Sequence, residues 1–98
     1  MTINRYEKGD LVRVNGVFTD QDGDPIDPVG VFFAYRTPAG VTTTVEYNVD
    51  AAVVRDDVGE YRVDIDASSA GMWFWRWYST GAGQAADHGQ FYVEQSPV

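Results

Sequence analysis

The sequence contains no cysteine. Disulfide staples and cysteine-ligated zinc are therefore excluded, and packing alone must hold the fold. The same absence leans towards assembly in a reducing compartment. Leucine occurs once, at Leu11, and helix signals are nearly missing. No apolar run approaches the roughly 20 residues that cross a bilayer, and Met1 to Lys8 lacks the apolar core of a secretory signal. Basic residues are scarce: seven Lys and Arg stand against fifteen Asp and Glu, for a net charge of −8. Phosphate backbones would repel such a chain, so the expected partners include neither nucleic acid nor membrane. There is one histidine, His88, and none of Ser68, Ser69, Ser79 and Ser96 lies in a nucleophile-elbow pattern. Asp87-His88 could form a local pair, but His88 reads as an ordinary strand-edge histidine. Carboxylates are many, but nothing singles out two of them for glycoside hydrolysis. The expectation is a protein that is not an enzyme, with no catalytic residue, cofactor or metal.

What the 98 residues do contain is rings and β-branched side chains: 14% are aromatic, and Val, Thr, Tyr, Phe and Trp fit pleated strands. Turn residues recur every 8–12 positions or so, the spacing of a sandwich or barrel. Alternation predicts a first strand over 10–19, with Val12, Val14, Gly16 and Phe18 on one face. Further strands are predicted over 29–36, 41–48, 52–55, 60–66, 72–80 and 84–94. Tyr61, Val63 and Ile65 face inwards in the fifth, with Arg62, Asp64 and Asp66 facing out. Thr37-Pro38-Ala39-Gly40 and Thr80-Gly81-Ala82-Gly83 read as turns. The pattern predicts one all-β domain over 10–94, a two-sheet antiparallel sandwich of about seven strands. Residues 1–9 read as an N-terminal arm without strand pattern, and 95–98 as a frayed tail.

Two stretches invite a functional reading. The acidic turn from Asp20 to Asp27 resembles a calcium loop, since alternate carboxylates converge on a hard cation. The match fails in detail: counting from Asp20, the sixth and twelfth positions are Pro25 and Val31, not Gly and Glu. A hairpin turn, in which Asp side chains bond nearby N–H groups and Gly23 takes positive φ, accounts for it better. The run Gly71-Met72-Trp73-Phe74-Trp75-Arg76-Trp77-Tyr78 is the more informative. On a strand the three Trp share one face, which suits a core, and Phe74, Arg76 and Tyr78 share the other. That second face is a satisfied aromatic cluster with Arg76 over Tyr78, a protein contact rich in hot-spot residue types, or an aromatic platform for sugar. Trp73, Trp75, Phe33, Tyr61, Val63, Phe91 and Val14 are the expected core.

The chain resembles small immunoglobulin-like proteins encoded among the virion genes of tailed bacteriophages. The resemblance rests on Gly9-Asp10-Leu11-Val12-Arg13-Val14, Phe18-Thr19-Asp20 with Asp22-Gly23 and Asp27-Pro28, Pro38-x-Gly40, Gly59-Glu60-Tyr61, Gly71-Met72-Trp73, Thr80-Gly81 and Gly89-Gln90-Phe91-Tyr92-Val93. It covers nearly the whole chain. It implies an immunoglobulin-like sandwich and a non-enzymatic head decoration or minor capsid-associated protein, assembled in the host cytoplasm and located in the virion. The implied partner is a major capsid or other virion protein. The competing expectation is a carbohydrate-binding module of the same fold using exposed aromatics. Two contact patches are expected: Phe74, Arg76 and Tyr78, and the arm residues Arg5, Tyr6 and Lys8. A standard interface needs about 800 Å² per partner, so self-association or several copies acting together is expected to supplement either patch.

Overall fold

The computed structural model describes residues 4–80 and 87–95. These form eight strands: β1 (Asn4–Glu7), β2 (Leu11–Val17), β3 (Gly30–Arg36), β4 (Thr42–Glu46), β5 (Val53–Asp57), β6 (Glu60–Asp66), β7 (Gly71–Thr80) and β8 (Asp87–Glu94). No helix occurs among the described residues. Five strands make one sheet in the order β1-β8-β7-β3-β4, and three make the other in the order β2-β6-β5. The fold is all-β and sandwich-like. The turn 80–83 and the tail beyond 95 lie largely outside the described residues.

Alternation sets the two inner faces. Val12 and Val14 of β2 and Tyr61, Val63 and Ile65 of β6 point into the core, as do Val31 and Phe33 of β3, Trp73 and Trp77 of β7, and Phe91 and Val93 of β8. The sheets meet through rings. Phe18 stands edge-on to Tyr61 and to Trp77, at 5.6 and 6.2 Å between centroids, and Tyr47 stands edge-on to Tyr61 at 5.2 Å. Trp77 is wholly buried and fits because β2 carries Gly16 opposite it. A Cβ built on Gly16 would lie 2.6 Å from Trp77 Cδ2, closer than packed atoms allow.

Three expectations are corrected. Among the described residues there are eight strands rather than about seven, because part of the segment read as an arm over 1–9 is β1, paired in parallel with β8 from Asn4↔Phe91 to Glu7↔Glu94. Four residues are too few to display a period of two, and their partner lies at the other end of the chain. Tyr6 anchors this strand edge-on against Phe91, 5.5 Å between centroids. The second correction is Trp75, which is half-buried and packs on the margin of the core. Its cross-strand partner Gly89 offers no side chain, so the indole lies down over that backbone; a Cβ there would be 2.5 Å from Trp75 Cζ2. Trp77, absent from the expected core, is the largest fully buried side chain among the described residues. The third concerns bounds: β4 ends at Glu46, where the chain turns through Asn48 at φ 69°, and β5 reaches Asp57.

Candidate functional site

The outward positions of β7 are Phe74, Arg76 and Tyr78, and the register with its neighbours turns this row into a surface. Phe74 lies opposite Arg36 of β3 and Gln90 of β8; Arg76 lies between Ala34 and His88; Tyr78 lies opposite Phe32. The Phe32 and Tyr78 rings stack at 5.0 Å with 9° between their planes, and the Arg76 guanidinium sits 5.0 Å from the Tyr78 centroid. Phe74 is 46% exposed, a large apolar ring open to water. Among the described residues neither Arg36 nor Arg76 has a carboxylate within ion-pair distance.

The sheet splits the expected patch of Arg5, Tyr6 and Lys8. Arg5 lies on this same outer face at the β1 edge. It sits 5.5 Å from the Tyr92 centroid and pairs with Glu94 at 3.0 Å. Tyr6 turns the other way and is half-buried against Phe91. Lys8 is exposed in the turn to β2, where its backbone N–H donates to Glu94 O. Phe74, Arg76 and Tyr78 thus form one patch with Phe32 and Arg36, which single-strand reasoning missed because only cross-strand register brings them together.

The charge of this face departs from that of the chain. Its outward carboxylates are Glu7, Glu46 and Glu94, and its outward guanidiniums are Arg5, Arg36 and Arg76. Three of fifteen acidic and three of seven basic residues leave twelve and four elsewhere. The whole net charge of −8 therefore lies off this face. Arg36 and Arg76 thus stand without a carboxylate partner among the described residues, beside stacked rings on a face of zero net charge, and these are residue types that favour acidic or aromatic contacts.

A second cluster sits at the end of the sandwich. Asp27 Oδ1 accepts from Gly59 N and Tyr61 Oη, both at 2.9 Å, and from Arg55 Nε at 3.1 Å; Oδ2 accepts from Arg55 Nη2 at 2.9 Å. The Arg55 guanidinium, followed by the Gly59 N–H, holds the Asp27 carboxyl down at about 2. Burial, then the bond to Asp27, pushes the Tyr61 phenol up to about 12. Beside this cluster lies a cleft of about 300 Å³ between Tyr47, Asn48, Val49 and Val29. The cluster ties β5 and β6 to the segment before β3, and every acceptor position on Asp27 is directed at a donor.

The acidic turn is built as a turn. Asp20 Oδ1 accepts from the backbone of Asp22 at 2.9 Å and of Asp24 at 3.0 Å, and Gly23 has φ +87°. Asp27 is drawn away to Arg55, so the carboxylates do not converge. Among the described residues no group of three or more His, Asp or Glu is placed to hold a metal ion. His88 is exposed on β8, opposite Arg76. Comparison with protein families, curated proteins and solved structures finds no match to this chain.

Proposed function

We propose that this chain is a non-enzymatic structural protein of a tailed-bacteriophage particle, an immunoglobulin-like module that docks onto a capsid or other virion protein through the outer face of its five-stranded sheet. The fold reading is supported by strand order. The order β8-β7-β3 with β4 beyond it, opposed by β2-β6-β5, follows the G-F-C and B-E-D strands of immunoglobulin-like sandwiches. The virion reading is supported by the sequence resemblance and by the absence of cysteine.

The observation that carries the docking reading is the row Phe32, Tyr78, Arg76, Phe74 and Arg36. Arg76 lies over Tyr78 as a satisfied cluster would have it, but Phe74 is open to water and Arg36 has no carboxylate partner among the described residues, whereas Arg13 on the opposite sheet is paired with Asp64. The sugar-platform alternative is less favoured, because a platform needs several free ring faces and in this row Phe74 alone is open, Tyr78 being stacked by Phe32 and capped by Arg76. The test mixes purified protein with phage particles assembled without it and measures co-sedimentation. Arg76→Glu with Tyr78→Ala, and separately Arg36→Glu, should weaken binding about tenfold or more while the melting temperature stays near that of the parent. Binding by both folded variants at the parent's affinity sinks the assigned face. No affinity of the parent for any particle component sinks the assembly reading.

A further inference from the structure

Four strands end the two sheets, and three of them are closed to further pairing. β1 is four residues long, and its Glu7 N–H is taken by Asp10 Oδ2 at 2.8 Å. On β4 the chain folds back: Glu46 N donates to Asp50 Oδ2, and Glu46 O accepts from Val49 and Asp50. β5 is broken by a register shift between Arg55 and Asp57, a bulge of the kind that blunts an edge. β2 has none of these devices. It is seven residues long, pairs only with β6 in unbroken register, and contains neither proline nor lysine.

The phase of the β2–β6 ladder fixes which backbone groups are left over. Phe18 N donates to Gly59 O, and Ala67 N donates to Asp10 O. Bonded and non-bonded pairs alternate in an antiparallel ladder. Val12, Val14 and Gly16 therefore bond β6, and Leu11, Arg13, Asn15 and Val17 turn both N–H and C=O outwards. Among the described residues nothing takes up these groups. The side chains beside them include two exposed aliphatics, Leu11 at 67% and Val17 at 55%.

We infer that β2 is a self-pairing edge, and that a second copy of this chain adds its own β2 antiparallel to the first about a two-fold axis at Val14. The strand is self-complementary in that register. Leu11 faces Val17 of the second copy at both ends, Arg13 faces Asn15, and no like charges stand opposite one another. The four outward residues fall on bonded pairs, so each copy's free donors meet the other's free acceptors. The nearest acidic row on this end, Glu60, lies about 14 Å from Asp66 of the second copy, three strand spacings, beyond the Debye length of about 8 Å at physiological salt. The result is a continuous six-stranded sheet that leaves the opposite, five-stranded face of both copies free.

Sedimentation equilibrium tests this directly. The parent is expected to approach twice its 10.9 kDa mass at about 100 μM. Asn15→Pro removes an outward N–H without breaking a bond to β6, and Val17→Lys places a charge in the seam; each should weaken the dimer about tenfold or more. Arg76→Glu, on the other sheet, should leave it unchanged. A parent that stays monomeric overturns the inference. So does a dimer that survives Val17→Lys, which preserves the fold even where proline does not, or one abolished by Arg76→Glu alone.

Discussion

Removing the Asp27 carboxylate strands donors that have no other acceptor. Tyr61 is 2% exposed and the Gly59 N–H is buried beside it; both end on Asp27 Oδ1. An orphaned buried donor costs about 1–3 kcal/mol, so Asp27→Ala should destabilise by about 2–4 kcal/mol at pH 7. Asp27→Asn keeps a carbonyl oxygen for both donors and loses only the charge facing Arg55. The charge contribution follows from the carboxyl's fall from 3.8 to about 2. Because the folded value lies below the unfolded one, that stability is complete above the unfolded value and fades as pH falls from about 4 towards 2. The shift alone would give about 2 kcal/mol, and with the side chain 41% exposed solvent screening leaves about 1 kcal/mol. Urea unfolding followed by Trp fluorescence at pH 7, 4 and 3 reads all of this. The gap between parent and Asp27→Asn should be about 1 kcal/mol at pH 7 and narrow with acid, and the further loss in Asp27→Ala should persist. An Asp27→Ala protein within about 0.5 kcal/mol of the parent, or a gap to Asp27→Asn that ignores pH, refutes the reasoning.

Two other perturbations probe the two faces of β7 and the contact between sheets. Trp73→Ala, in the core, should cost about 3–5 kcal/mol, whereas Phe74→Ala, one residue on and exposed, should shift stability by about 0.5 kcal/mol or less; equal losses in thermal melts would mean that the strand is inverted. Gly16→Val should overpack against Trp77 and cost about 2 kcal/mol or more, and a variant as stable as the parent would show that the sheets are not in close contact there.

How much of this was legible depended on how local the cause is. β2 and β6 could be read because strict alternation over seven residues places Val12, Val14, Tyr61, Val63 and Ile65 on one face without reference to the rest of the chain. The outward row of β7 was legible for the same reason. β1 was not, since a four-residue parallel strand is defined by its partner 87 residues away. In sequence Asp27 falls in the run of alternate carboxylates that begins at Asp20, while its real partners, Arg55 and Tyr61, lie 28 and 34 residues further on. Phe32 and Arg36 joined the candidate face only through register with Tyr78 and Phe74. Trp75 departed from its neighbours because of a glycine on the adjacent strand.

The parallel pairing of the first strand with the last has a mechanical consequence. Asn4 lies beside Phe91 and Glu7 beside Glu94, so the chain enters this ladder at one end and leaves it at the other. A force applied between residues before Asn4 and residues after Glu94 slides the two strands along each other in shear. The ladder bonds then bear the load together, where an antiparallel hairpin pulled from its open end would unzip one bond at a time. Tyr6 wedged against Phe91 adds a ring that must leave the core before the strands can slip. In a single-molecule pulling experiment, this short clasp is the first element that tension would have to break.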